Sequence, residues 1–443
     1  MRVITVRRHY FVISALTIPL LISGCRATQK PGYAEIPPLP PLNSDIYNDV
    51  NPRFSPDGKR IAFLRETPDR RLQLHLIDSE LERPQAVLES ERVGMDRPYS
   101  PTAARYCSPD SLVWSPNNRL VAFERSEWFD FDDGERLPGT GLWAYDTRTG
   151  RVTPLALHPK RYFDQLYYYH SPSWSPNGKY FSFVAEGING QRRVGIKPVS
   201  QPPKDAEPLF DDSENSDWAT WKPSFGLNAV KESALIYRQT IRKNASLPVT
   251  ETLRAVHPGN PDGQNSGEIW RISQSELGKN EIALKKEGFS VVPRIGHLCW
   301  SPTGKMIAFT LTPDANDFNT YQIWVWSSVT KQAMRVSPSD GRGFIAPVWI
   351  DERRIGAISP KQDKFAVVSL SVEKRISRTL GIIASADCDW SPDKSKIVYA
   401  VPKQDSPVNP DFPTTLKLYE TNLHTTSPWK IEMSEGPPSE RKF

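Results

Sequence analysis

The stretch Phe54–Phe63, FSPDGKRIAF, returns with small changes as WSPNNRLVAF at 114–123, WSPNGKYFSF at 174–183, WSPTGKMIAF at 300–309 and WSPDKSKIVY at 390–399. Each copy has the same parts. An apolar run ends in Trp or Phe, and a Ser-Pro-Asp/Asn-Gly turn follows. Proline presets the first corner, Asp or Asn bonds back to the backbone, and Gly accepts a positive φ. Asn118 stands in one Gly slot, which the left-handed region tolerates. The run KRIAF then alternates apolar and polar residues at the strand period, with Ile61 and Phe63 on one face.

Two weaker copies keep the plan. WIDERRIGAI (349–358) has altered turn chemistry, and WKPSFGLNAVKESALIY (221–237) carries a longer hairpin before its second strand. A third strand is expected in each unit: 72–78, 141–147, 268–273 and 321–326. A weaker fourth is expected at 84–88 and 332–336. Phe54, Trp114 and Trp174 recur every 60 residues, a period that signals a solenoid or propeller. The fold class is therefore all-β, a β-propeller of seven four-stranded blades, or six if 221–237 is not a blade. The anchoring aromatic of each unit is expected to wedge against the neighbouring blade.

The motif W/F-S-P-D-G-K-x-I-A-F, followed by a strand ending in Asp78 or Asp146, resembles the repeat of TolB-type propellers over roughly residues 48–433. Related repeats occur in tricorn-like proteins and in prolyl oligopeptidase propellers. The resemblance implies a periplasmic propeller that binds other envelope proteins. TolB itself docks onto a peptidoglycan-associated lipoprotein. It also carries an N-terminal α/β domain that the residues between Cys25 and the first unit are too few to supply.

The first 24 residues read as a targeting signal: Arg2, Arg7 and Arg8 precede the apolar run Tyr10–Ile22. It ends in Leu21-Ile22-Ser23-Gly24-Cys25, which resembles a lipobox, so Cys25 is the expected lipidation site. Arg26 follows where an inner-membrane retention signal would place Asp, so the periplasmic side of the outer membrane is the expected location. Residues 25–45, with Pro31, Pro37, Pro38, Pro40 and Pro41, read as an extended tether from the lipidated cysteine. Residues 46–433 are the propeller, and 434–443 a disordered tail.

Without the signal, 53 of the 56 basic side chains remain against 51 acidic ones. A nearly neutral chain lacks the concentrated basic footprint that nucleic-acid binding requires. Cys107, Cys299 and Cys388 read as small buried hydrophobes rather than a redox or zinc set. No G-x-S-x-G, H-E-x-x-H, Walker A or G-x-G-x-x-G occurs, and the His residues show no metal-ligand spacing.

The stretches expected to form long loops on the face opposite the turns carry the binding candidates. They are 124–141 (Trp128, Phe129, Asp130, Asp132, Asp133), 160–171 (Tyr167, Tyr168, Tyr169, His170) and 211–220 (Trp218), with 239–267 as the longest insertion. Aromatics beside acids are common in binding surfaces; the same rings could instead plug the channel. No cofactor is expected. Asp130-x-Asp132-Asp133-Gly134 resembles the start of a calcium loop but lacks its remaining ligands. The leading reading is a scaffold that binds an envelope protein. The alternative is a propeller lyase or glycoside hydrolase with a saccharide ligand.

Overall fold

The computed structural model describes residues 48–66, 72–81, 85–88, 112–130, 136–157, 167–187, 190–203, 206, 215–223, 235–241, 250–256, 294–312, 317–330, 332–362, 364–402, 414–421 and 423. They form seven antiparallel sheets that follow one another along the chain. The first holds β1 (Asn48–Phe54), β2 (Arg60–Glu66), β3 (Leu72–Asp78) and β4 (Gln85–Leu88). The second holds β5 (Leu112–Trp114), β6 (Leu120–Asp130), β7 (Arg136–Asp146) and β8 (Val152–Ala156). The third is β9 (Tyr167–Trp174), β10 (Tyr180–Gly187) and β11 (Arg192–Pro198). The fourth is β12 (Asn215–Trp221), β13 (Leu235–Ile241) and β14 (Thr250–Val256). The fifth holds β15 (Arg294–Trp300), β16 (Met306–Thr312), β17 (Gln322–Ser327) and β18 (Ala333–Arg335). The sixth holds β19 (Ile345–Asp351), β20 (Arg354–Lys361), β21 (Lys364–Ser371) and β22 (Ser377–Ile383). The seventh is β23 (Cys388–Trp390), β24 (Lys396–Pro402) and β25 (Thr414–Glu420). A short 3-10 turn at Phe318–Thr320 leads into β17.

The recurring turn is a hydrogen-bonded cage, which explains why its serine recurs with it. Ser115, Ser175 and Ser391 donate to the side-chain oxygen two residues on, in Asn117, Asn177 and Asp393, each at 2.7 Å. That same oxygen accepts the backbone N–H of Arg119, Lys179 and Ser395. The serine Oγ accepts the N–H that opens the next strand, at Leu120, Tyr180 and Lys396. Asp or Asn serves equally because only one carbonyl-type oxygen is used. The fourth turn position is left-handed throughout: Gly58, Gly178 and Gly304 have φ of 71°, 67° and 66°, and Asn118 and Lys394 adopt 59° and 65°.

The anchors join the sheets. All seven (Phe54, Trp114, Trp174, Trp221, Trp300, Trp349, Trp390) are 5–7% exposed. Each packs into the sheet before its own: Trp114 on Leu64 and Leu74, Trp174 on Ala122 and Leu142, Trp221 on Val184 and Val194, Trp300 on Ile236, Trp349 on Ile323 and Val325, Trp390 on Ile345 and Ile358. Gly356 is bare because a Cβ there would stand 2.7 Å from the Trp390 ring. In three joints the indole N–H also donates to the carbonyl just ahead of the previous anchor. Trp114 bonds Arg53 O at 3.0 Å, Trp221 bonds Ser173 O at 3.1 Å and Trp349 bonds Cys299 O at 3.1 Å.

The ring closes between the first and seventh sheets. Phe54 packs with Val398 of β24, but a phenyl ring has no N–H to donate. Here the bonding reverses: Asp389 Oδ2 accepts Phe54 N and Asp387 Oδ2 accepts Asn51 N, both at 2.8 Å. Lys396–Glu80 spans the same seam at 2.8 Å. Cys299 and Cys388 lie half-buried against aliphatic clusters, as small apolar residues do, and burial pushes the Cys299 thiol up to about 12.

Four expectations are corrected. Residues 124–130 and 136–141 are not loop: they belong to β6 and β7, which pair Trp128 with Pro138 and Phe129 with Leu137, and 131–135 lie outside the described residues. Tyr167–Ser171 belong to β9 and Asn215–Thr220 to β12, so both are inner strand. The 239–267 stretch is not one insertion, because 250–256 is β14, paired along β13. The third strand of that sheet is thus β14, upstream of the expected 268–273, which lies outside the described residues. So do residues 1–47 and 424–443. Alternation was weak in TETLRAV, and the strand is set by its pairing partner instead.

Burial raises the Asp387 and Asp389 carboxyls, against the pull of Arg53 and the N–H groups they accept. A carboxyl raised on folding contributes stability below its unfolded value and loses it as pH rises through the folded one. Asp389→Asn, which keeps the acceptor and removes the charge, is therefore expected to hold the seam at pH 7. Asp389→Ala orphans Phe54 N–H and should cost about 1–3 kcal/mol in urea unfolding. Equal losses for Asn and Ala would show that the charge, not the acceptor, closes the ring.

Candidate functional site

The Ser-Pro turns mark one end of five of the sheets, and the hairpin between β19 and β20 takes the same place in the sixth. The ends of β2 and β6 and the starts of the first strands mark the other end. The turn end is regular and tied to itself: Asp57 N donates to Asn118 Oδ1 at 2.9 Å, and Thr303 N to Glu352 Oε1 at 2.7 Å. The opposite end departs from the repeat, and the candidate residues gather there.

A polar path crosses sheets two to five at that end. Ser171 N donates to Glu124 Oε1 at 3.3 Å, and Ser171 Oγ lies 2.8 Å from His170 Nδ1. His170 Nε2 is 3.2 Å from Glu186 Oε2, which also takes Arg192 Nε at 3.2 Å. Arg192 reaches across to Asp217 at 3.3 Å. Asp217 holds Arg238 through two bonds of 2.6 Å, and Arg238 donates a third, 3.0 Å, to Ile295 O of the fifth sheet. Asp49 and Arg65 form the corresponding two-bond pair in the first sheet, at 2.7 and 3.0 Å. Asp49 and Asp217 are each matched by a guanidinium whose planar fork fits the carboxylate.

Beside Arg238 lies an aromatic group. The Trp218 and His297 ring centroids are 4.6 Å apart, and His297 meets Tyr321 edge-on at 6.3 Å. His297 Nδ1 is 3.1 Å from Thr310 Oγ1, and burial pushes its pKa down to about 4, so the imidazole is neutral near pH 7. Gly296 is closely surrounded: a Cβ there would stand 3.2 Å from Thr310 Oγ1 and in ordinary contact with the Trp218 indole at 3.6 Å.

Trp218 and His297 occupy equivalent places, three residues before their anchors. Asn51, Ser171 and Ala346 occupy the same place in three other sheets. All five have left-handed backbone, with φ of 57° (Asn51), 54° (Ser171), 52° (Trp218), 47° (His297) and 48° (Ala346). Each sits where the inner strand slips register against its neighbour. This is a recurrent β-bulge that re-aims one side chain per sheet. The sequence signal was available as D-W-A-T-W and H-L-C-W, a ring three before the anchor, but it is visible only once the anchors are aligned.

The expected binding residues divide. Trp128, Phe129 and Asp130 lie in β6 at the end away from the turns, and Tyr167 and Tyr168 open β9 at that same end. Asp132 and Asp133 lie outside the described residues. Tyr169 is not on a face: it is fully buried, stacked 4.8 Å from Phe183, with its hydroxyl donating to Ala206 O at 2.9 Å. Alternation along β9 turns it inward. His170 and Trp218 belong to the polar and aromatic groups above. Among the described residues no three His, Cys, Asp or Glu side chains are placed to hold a metal.

No protein-family model and no curated protein matches the sequence. Solved structures do match. Oligogalacturonate lyase from Vibrio parahaemolyticus aligns at 10% identity over 85% of this chain and 91% of its own, with a TM-score of 0.50. A puromycin-hydrolyzing peptidase from Mycobacterium tuberculosis aligns at 13% identity over 85% of this chain and 51% of its own, also at 0.50. The fold is a β-propeller. TolB from Acinetobacter baumannii, of the family whose repeat the sequence resembles, also matches, at 16% identity over 72% of this chain and 63% of its own, with a TM-score of 0.39. At such identities the likeness is one of fold. The propeller carries lyases and peptidases alike, so the site must speak for function.

The Asp217–Arg238 pair is deeply placed, with side chains 5% and 13% exposed. Asp217→Ala leaves the guanidinium uncompensated and is expected to cost about 3–5 kcal/mol in guanidinium unfolding, while Asp217→Leu with Arg238→Met recovers most of it. A single-variant loss below about 1 kcal/mol would mark the pair as an ordinary surface bridge.

Proposed function

We propose that this chain is a lipid-anchored, seven-bladed propeller of the cell envelope that binds another envelope protein non-covalently through the face opposite its Ser-Pro turns. The observation that carries this reading is the contrast between the two ends of the sheets. In the sheets that carry the Ser-Pro turn, the turn end repeats one serine-centred hydrogen-bonded arrangement, and turns of neighbouring sheets are linked to one another. The other end carries the extended β6–β7 hairpin, the aromatic opening of β9 and the polar path, each found once. Binding surfaces are built where a scaffold varies, not where it repeats.

The paired carboxylates favour recognition over chemistry. Asp49 and Asp217 are each held through two bonds to one arginine, which orients them and lowers their usefulness as a general base. The lipobox-like segment ending at Cys25 supplies the anchor, and the proline-rich residues after it supply reach of ~60 Å at about 3.1 Å per residue. Periplasmic placement on the outer membrane follows from that segment together with Arg26.

In-cell photo-crosslinking tests the reading, with the probe at Trp128 or Tyr168 and a control at Lys59 on the turn end. A discrete protein adduct from the first two positions alone is the expected result, and Cys25→Ser should move the chain out of the membrane fraction. Adducts only from Lys59, or none, would overturn the docking face. In the absence of adducts, a propeller enzyme acting on glycans becomes the better reading.

A further inference from the structure

The bulge in the first strands is architectural, since five sheets share it, and its left-handed backbone is not by itself a sign of function. The choice of residue is another matter. Asn and His enter the left-handed region more readily than other residues. Trp218, at φ 52°, is bulky there and carries the strain such a residue bears. Two adjacent sheets place large rings where their neighbours place small groups, and the two rings meet at a tilt of 45°.

The run of rings continues outward. From Trp218 to His297 the centroids are 4.6 Å apart, from His297 to Tyr321 6.3 Å, and from Tyr321 to Phe318 5.9 Å. Tyr321 is buried and supports the others, while Trp218, His297 and Phe318 are partly exposed. The 3-10 turn that carries Phe318 is capped by Asp317, whose side chain accepts Asn319 N at 2.9 Å, so the outermost ring stands on an ordered support.

The surroundings define the ligand. The charges nearest Trp218 and His297 are balanced pairwise, Asp217 against Arg238 and Glu186 against Arg192, the imidazole is neutral near pH 7, and the exposed Asp317 carboxylate stands beside Phe318 at the outer end. Among the described residues the only large hydrophobics that are well exposed are Val329 and Ile382, so the rings are not the centre of an aliphatic patch of the kind that forms the core of a protein interface. Ring faces set among fixed donors and acceptors instead suit a ligand with an apolar C–H face and a rim of hydroxyls.

We propose that the Trp218–His297–Phe318 run is a binding platform for a neutral saccharide chain, with successive sugar rings laid on successive side chains. His297 Nε2 and the Arg238–Asp217 pair bond the hydroxyl rim. The platform lies on the fourth and fifth sheets. The protein-docking positions proposed above lie on the second and third, so the two readings stand or fall separately.

Isothermal titration calorimetry on the full chain, in a detergent without a sugar headgroup, tests it with chitotetraose, cellotetraose and maltotetraose. At least one is expected to bind, with little dependence on salt because no ion pair forms. Phe318→Ala and Trp218→Ala are each expected to weaken that binding by about tenfold or more. Phe318 lies at a loop turn, so its variant keeps the test alive if Trp218→Ala fails to fold. The proposal is overturned if none of the three binds, or if neither substitution changes the affinity. It is also overturned if tetragalacturonate binds more tightly and in a salt-sensitive way, since the arginines would then be selecting an acid.

Discussion

One contact repeats seven times, and the rest of the molecule depends on it: an aromatic ring at the end of each inner strand, driven into the sheet before it. Each three- or four-stranded sheet carries apolar side chains that must be covered by the sheets beside it. Each ring buries the face of its neighbour, and removing one is expected to cost about 3–5 kcal/mol. The indole N–H adds direction to that burial, since in three joints it reaches the carbonyl ahead of the previous anchor. A ring of such joints must close, and closure falls on the one anchor that cannot donate. Two carboxylates of the seventh sheet meet that constraint by accepting the N–H groups of Asn51 and Phe54.

How much of this was legible follows from what the contacts are made of. Turn, anchor and alternation are local, and residues such as Ser115, Asn118 and Trp114 announced them in the order in which they act. The strands at 72–78 and 85–88 were readable for the same reason. β14 was not, because its residues alternate poorly and its place is set by pairing with β13. Stretches rich in Asp, Phe and Gly, such as 124–141, read as loops, although 124–130 and 136–141 continue the ladder. Tyr169 illustrates a related failure: three tyrosines in a row look like a surface cluster, but the strand period sends the third inward, where Ala206 O takes its hydroxyl.

The candidate site was half legible for a different reason. Trp218 stood out as an aromatic beside acids. Its partner His297 and the Asp217–Arg238 pair did not, because they are brought together across sheets by the bulge. That bulge has no composition of its own; its positions hold Asn51, Ser171, Trp218, His297 and Ala346. It appears only when the anchors are used as a ruler. In a repeat fold, function is found by subtracting the repeat. What remains here is a pair of rings, a path of matched charges and an extended hairpin, all at one end of the sheets.

The measurement that tests this account most directly restores the repeat. Trp218→Ser with His297→Asn gives the fourth and fifth sheets bulge residues of the size found in the others. Hydrogen exchange of the inner strands and the thermal midpoint report whether the ring survives. If the large rings serve a ligand and not the fold, protection around Trp221 and Trp300 should match that of the parent chain, and the midpoint should hold or rise as the strain is relieved. Loss of protection in those two sheets would contradict the account and return Trp218 and His297 to the core.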